Sequence, residues 1–391
     1  MSAASAAANL SSSVDPWSRV PSDPRAWRGI DQVPSPALLV VSELLDENIA
    51  KMIAIAGGPN RLRPHCKTHK CAAVIARELS AGIDKHKCAT IAEAEMLAAA
   101  GVRDVFLAYP PVGPNIARTI RLAEVFPETT WRVSADHPQP LEELAAAARA
   151  AGRTIGVLVD LDPGMHRTGL PIGERAAELY RRCATLDGVR ADGFQLYDGH
   201  HRQLDPSERM GAVRQVWDQA ASLADRLTAE GYDVPRIVAG GTGSFPCFAA
   251  IDDKRLELSP GTVVFHDAGY LSAFPDLPFV PAALLLTRVI SFPGEHRVTT
   301  DLGHKGVAAD PAAGKRVRFP AIPDAREVMH SEEHLVIETS LAETLRPGDP
   351  LLAVPTHICP TTALHQEVIV IRDGAVAERW PIDCRARRLT I

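Results

Sequence analysis

Lys67 stands in the run Arg63-Pro64-His65-Cys66-Lys67-Thr68-His69-Lys70, where two histidines and a second lysine crowd one amine. Nearby positive charge and burial both favour the unprotonated amine, the species that forms a Schiff base with a carbonyl. A solvated basic loop has the same composition. A second candidate is Gly240-Gly241-Thr242-Gly243-Ser244. The three glycines expose backbone N–H groups and the two hydroxyls add donors, so a phosphate can dock without a cation; a tight turn reads alike. A third is His357-Ile358-Cys359. On a strand, alternate residues share a face, so His357 and Cys359 can chelate one ion through imidazole and thiolate, a pairing suited to zinc. Two protein ligands leave room for water or substrate. His365 is either a third ligand or a structural group, and a core cysteine beside a surface histidine would look the same as a ligand pair.

These residues need a frame. From about residue 60 to 265, short β-type runs (62–67, 85–90, 105–109, 131–135, 155–161, 193–197, 236–241 and 256–261) alternate with alanine-rich helical stretches, several ending in Gly. Such alternation predicts parallel βαβ units, and eight runs predict a closed (β/α)8 barrel. Active sites of that fold lie at the C-terminal strand ends, with phosphate after strands seven and eight. Lys67 falls at the C-terminal end of the first run, and the glycine loop follows the seventh. Two polar clusters, Asp160 to Gly169 (with Arg167) and Tyr197-Asp198-Gly199-His200-His201-Arg202, end the fifth and sixth. Beyond residue 275 helical periodicity fades, β runs dominate, and Arg372-Asp373-Gly374 reads as a hairpin turn. The fold class expected is therefore α/β, a barrel followed by a mostly β domain: 1–30 a tail that orders around Trp17 and Trp27, 31–275 the barrel, 276–391 the β domain. The strand at 36–41 fits either half.

Composition narrows the function. The 391 residues are 46% hydrophobic and 23% charged, an ordinary globular mix. A net charge of -6 without a basic, aromatic-interleaved stripe argues against nucleic acid. No apolar run approaches the roughly 20 residues that span a bilayer. Seven scattered cysteines without a CxxC pair, and an N-terminus lacking a secretory pattern, point to the cytoplasm.

RPHCKTHK (63–70), DLDPGMHRTG (160–169), YDGHHR (197–202), GGTGS (240–244) and HICPTTALHQEVIVI (357–371) occur in an order that resembles pyridoxal-phosphate enzymes of the alanine-racemase-like fold. More narrowly, the chain is similar to the D-threonine aldolase and D-serine dehydratase group from about Pro36 to its end. The resemblance implies that Lys67 carries the cofactor and that Gly241, Thr242, Gly243 and Ser244 cradle its phosphate. It sets Arg167 or Tyr197 near the pyridine nitrogen, His357 and Cys359 as ligands of a divalent metal (zinc, manganese or magnesium), and His200 close to a substrate hydroxyl. It also implies a homodimer with the site between one subunit's barrel and the other's β domain. Two departures bear on the reaction: Cys359 stands where aldolases of the group carry aspartate and dehydratases cysteine, whereas YDGHHR is the more aldolase-like segment. Val263 stands where many relatives have tyrosine, so a contact from there is missing.

The expected activity is retro-aldol cleavage of small β-hydroxy-D-amino acids such as D-threonine to glycine and an aldehyde. The alternative is dehydration of D-serine or 3-hydroxy-D-aspartate to a 2-oxo acid and ammonia. A rival of another class is a non-catalytic pyridoxal-phosphate carrier, which resembles a lone barrel.

Overall fold

The computed structural model describes residues 16–391. β1 (Ala37–Val41) leads into the helix Ser42–Ala56 and then into the barrel. Seven regular staves, β2 (Lys85–Cys88), β3 (Asp104–Leu107), β4 (Thr130–Ala135), β5 (Ile155–Asp162), β7 (Val189–Leu196), β8 (Ile237–Ala239) and β9 (Leu256–Leu258), pair in parallel in that order, with β6 (Leu170–Pro171) a short edge on β5. The eighth stave is irregular. Pro64 has no N–H to give a ladder, so residues 62–66 hold on through single bridges, Leu62 to Leu258 and His65 to Lys87. Arg63 N donates to Leu258 O (2.8 Å) and His65 N to Pro260 O (2.9 Å), while Lys87 N donates to Pro64 O (2.8 Å). Those bonds close the ring and leave Lys67 just past its rim.

Alanine-rich sequence forms the outer helices because alanine loses no rotamer entropy and small side chains pack closely on a sheet. Ala72–Ser80, Ile91–Ala99 and Pro138–Ala150 are each followed closely by a glycine in the left-handed region, Gly82 (φ 88°), Gly101 (φ 94°) and Gly152 (φ 62°). Inside the barrel, alternate residues stack in layers. Phe106, Leu158 and Val238 make an apolar layer. Beneath it the fully buried Arg63 pairs with Asp104 (2.7 Å) and Glu257 (2.6 Å), and Arg132 with Asp192 (2.6 Å).

The second sheet contains β10 (Ala283–Gly294), β11 (Arg297–Thr300), β12 (Val317–Arg318), β13 (Arg326–His330), β14 (Leu335–Glu338), β15 (Pro350–Pro355), β16 (Glu367–Arg372) and β17 (Ala375–Pro381). β1 joins it, antiparallel to β10 and parallel to β16, so the strand that fitted either half belongs to this sheet and not to the barrel. Asp373 (φ 50°) and Gly374 (φ 65°) make the hairpin turn between β16 and β17. Trp17 and Trp27 pack against the cluster of Val20, Ile30, Val33 and Leu39 on this sheet; residues 1–15 of the expected tail lie outside the described residues. The last residues return to the barrel, where Thr390 N donates to Glu95 (3.0 Å) and Arg118 to Ile391 O (2.7 Å).

Arg63→Met removes the central cation of the buried layer. Arg132, Lys85 and Arg236 still partner the stranded carboxylates, so the expected loss is about 3 kcal/mol, the low end for a broken buried pair. Urea unfolding measures it, and a loss below about 1 kcal/mol would show that the pair does not hold the stave.

Candidate active site

Two chambers open at the C-terminal rim of the staves and share Lys67, Tyr197, Gly241, Thr242, Thr262 and Tyr270. The inner one, about 380 Å³, reaches down to Lys87, Asp160, Arg167 and Gln195. The outer one, about 560 Å³, is roofed by Asp310, His357 and Cys359 from the β-rich half.

Lys67 leaves the eighth stave in a tight turn, its N–H donating to His65 Nδ1 (3.2 Å). The histidines expected to lend it positive charge do not. Burial pushes His65 well below its ordinary range and His69 down to about 4, so both rings are neutral at pH 7. Lys70 is paired with Glu93. The neighbouring cations are Lys87 and Arg167 on the inner floor. Lys87 is 4% exposed, donates to Gln195 Oε1 (2.8 Å), and is pulled down to about 7 by burial and then by Lys67. Asp160 accepts from Thr168 (2.8 Å) and is raised to about 6 by burial.

The glycine loop fits an anion cradle through its backbone. A Cβ on Gly243 would lie 2.3 Å from Phe274 Cζ, where no side chain fits, and one on Gly241 3.0 Å from Tyr197 Cε2, a tight contact that a small shift of the ring relieves. The hydroxyls are used differently from expectation. Ser244 donates to Asp198 (2.8 Å), and Thr242 accepts from the N–H groups of Gly261 (3.3 Å) and Thr262 (3.0 Å). Ser259, which lines the inner chamber, has a buried hydroxyl without a partner. Such a group is satisfied by a bound oxygen, which suits a phosphorylated cofactor. The Arg167 guanidinium lies 4.5 Å from the Tyr197 ring, and Lys67 Nζ 5.6 Å from it, so both candidates for the pyridine nitrogen share the inner chamber. Val263 is fully buried in the core, and the phenol on this wall is that of Tyr270.

His357 and Cys359 come together, but not on a strand. His357 caps the helix Ile358–Leu364, which holds Cys359 in its first turn. The buried Asp267 fixes this segment by accepting from Ile358 N (3.0 Å) and Tyr270 N (2.8 Å). Cys359 Sγ lies 3.1 Å from the Thr68 hydroxyl, one residue beyond Lys67. Burial pushes the thiol up, yet hydrogen bonds from His357 and Thr68 bring it below its ordinary value. The hydrogen bond to Cys359 raises His357 to about 9. An imidazole and a sulfur held toward the thiolate are a donor set suited to zinc. His365 is not with them; it bonds Gly306 O (2.8 Å).

The histidine pair after β7 also divides. His201 lines the outer chamber, with Nδ1 3.2 Å from Asp198 Oδ2, whereas His200 is exposed and outside the lining. One further cluster of ligand types, His65, Cys66 and Glu93, is spent. His65 Nδ1 accepts from Lys67 N, Glu93 accepts from Lys70 and Ala89 N, and burial holds the Cys66 thiol protonated. Lys87, Gln195, Asp310 and Tyr270 escaped the sequence motifs, whereas His201 lies inside YDGHHR (197–202), where His200 was the histidine singled out. Lys87 had the one available signal, a lysine inside an otherwise buried parallel strand.

Among the described residues no helix is long and apolar enough to cross a membrane. Residues 41–268 match the family model of the alanine racemase N-terminal domain, and residues 282–371 that of a putative serine dehydratase domain. D-threonine aldolase of an Arthrobacter species is 32% identical over 93% of this chain and 95% of its own. The 3-hydroxy-D-aspartate aldolase of Paracoccus denitrificans is 30% identical over 92% and 94%. The crystal structure of D-threonine aldolase from Filomicrobium marinum superposes with a TM-score of 0.85 at 31% identity, covering 91% of this chain and 97% of that one. On these matches over nearly its whole length, the chain belongs to the alanine-racemase-like family of pyridoxal-phosphate enzymes, in its D-threonine aldolase and D-serine dehydratase group.

Proposed function

We propose that this protein is a pyridoxal-phosphate- and divalent-metal-dependent lyase that cleaves β-hydroxy-D-amino acids by a retro-aldol reaction, D-threonine giving glycine and acetaldehyde. One observation carries the reading: Lys67, the Gly241–Gly243 backbone and the His357/Cys359 pair face one continuous space. Its relatives named as D-threonine aldolase and 3-hydroxy-D-aspartate aldolase support it. A carrier protein has no use for the roof of that space. We further propose a cytoplasmic homodimer whose working parts are the barrel within 31–275, without β1, and the β domain of 276–391 that β1 joins; seven free cysteines accord with a reducing compartment.

Lys67 holds the cofactor, whose ring supplies an electron sink for charge left at Cα. His357 and Cys359 hold the metal, which supplies Lewis acidity toward a hydroxyl. The chain's own groups do the rest. Arg167 and Tyr197 line the inner chamber and keep a flat ring in place. Cleavage of Cα–Cβ requires that the β-hydroxyl lose its proton, and besides His357, assigned to the metal, the imidazole lining the outer chamber is His201. Its Nδ1 is held by Asp198, which leaves Nε2 to take the proton. Asp198 is itself steadied by Ser244.

Dehydration is the second reading, and Cys359 is the observation in its favour. There Lys67 takes the Cα proton and the β-oxygen departs. Incubation with D-threonine separates the two: glycine with acetaldehyde supports cleavage, and 2-oxobutanoate with ammonia supports dehydration. Chelation with EDTA should stop either reaction while leaving the cofactor's colour; full activity in EDTA would remove the metal.

Borohydride should fix the cofactor on Lys67, detected as a mass-shifted peptide, and Lys67→Ala should abolish turnover; a colourless, unreactive protein contradicts the cofactor assignment. His201→Ala should lower kcat by about 10²–10⁴-fold, the range for a lost general base. His200→Ala should stay within a few-fold of the parent, and the opposite ranking would return the role to His200.

A further inference from the structure

We propose that Asp310 is a positioning residue that fixes the ring of His357, turning one imidazole nitrogen toward a divalent metal shared with Cys359. The inference rests on reading His357 and Cys359 as metal ligands. Asp310 precedes β12 in an irregular segment, and its Oδ2 lies 2.5 Å from His357 Nδ1. The main chain of His357 is fixed on both sides, since Ile358 N donates to Asp267 and Thr361 Oγ1 donates to His357 O (2.8 Å). What remains free is rotation about the side-chain bonds, and the carboxylate removes it. Nδ1–H donating to Asp310 sets the tautomer and leaves the Nε2 lone pair as the donor, the arrangement in which a carboxylate raises a metal-bound histidine's basicity.

Two other readings of Asp310 are weaker. As a surface ion pair it would be worth about 0–1 kcal/mol, but both groups line the chamber that holds Lys67 and Cys359. As a third ligand it would have to gather with both donors around one point. Among the described residues, the only group of three donors close enough to do so is His65, Cys66 and Glu93, so Asp310 stands behind the imidazole and not beside the sulfur.

The test is zinc affinity of the full-length, cofactor-loaded protein, read by competition with a chromogenic chelator. Asp310→Ala should weaken zinc binding by about 10–100-fold, as loss of an outer-shell partner does. Asp310→Asn, whose amide oxygen still accepts from Nδ1–H, should lose less. Cofactor absorbance and Tm in EDTA should match the parent for both. Parent-like zinc affinity in Asp310→Ala overturns the proposal. So does a loss as complete as that of His357→Ala, which would make Asp310 a ligand. A parent protein that takes up no zinc removes the metal reading and this role together; zinc binding that survives His357→Ala removes the metal reading at its own residue.

Discussion

The structure hangs on how a stave containing proline is held in the barrel wall. Pro64 takes one donor from the ladder of residues 62–66; the remaining backbone bonds close the ring, and side chains reinforce it. Arg63 does this from inside, its guanidinium fully buried between Asp104 and Glu257. A buried arginine of this kind is tolerable only when paired; Arg63 Nε is held by Glu257 and Nη1 by Asp104, while Nη2 has no partner. Lys67 is four residues further on. The ionic layer at the barrel floor therefore decides where the reactive amine emerges, and the apolar layer of Phe106, Leu158 and Val238 separates it from the mouth. Stability and chemistry occupy different storeys of one cylinder.

A second constraint joins the halves. Asp267 accepts from Tyr270 N in the segment after β9 and from Ile358 N in the roof. Thr68 reaches Cys359 from below. Gly269 N donates to Thr356 O at 3.1 Å, and a Cβ on Gly269 would lie 2.4 Å from that oxygen. The roof is thus stitched to the rim at three points within a few residues of the site. A sulfur donor and a rim amine on separate bodies would drift relative to each other; here they share a lattice of short bonds.

The repeating parts of this fold were legible because period is a strong signal. Seven of the eight expected runs are regular staves, and Asp373-Gly374 turns where its left-handed preference requires. What failed was local. His357-Ile358-Cys359 lies between β runs, yet a following Pro360 and two threonines start a helix whose carbonyls accept the threonine hydroxyls. His357 and Cys359 still converge, for a reason other than strand alternation. The polar residues of the mouth show the complementary limit. Asp310 and His357 are 47 positions apart, and nothing in either neighbourhood encodes the other. The run of histidines around Lys67 suggested charge that burial removes, while Lys87, a strand residue with no motif, is the lysine that shares the chamber.

That displacement of charge bears on the cofactor. Lys67, Lys87 and Arg167 line one chamber with a single buried carboxyl, Asp160. Two unit charges about 4 Å apart interact by about 4 kcal/mol at an effective dielectric of 20, so crowded cations disfavour the empty folded state. Lys87 carries both effects: burial first and Lys67 second bring its folded value to about 7, below the ordinary lysine range. Between those limits the unfolded chain binds more protons, so stability from this group rises with pH and is least below 7. Negative charge brought into the chamber offsets part of this repulsion, because Lys67, Lys87 and Arg167 all line it. The residues that repel one another are those whose charge favours an anion over a neutral ligand, and binding free energy of that kind adds to folding free energy. A neutral ligand of the same shape would leave the repulsion in place.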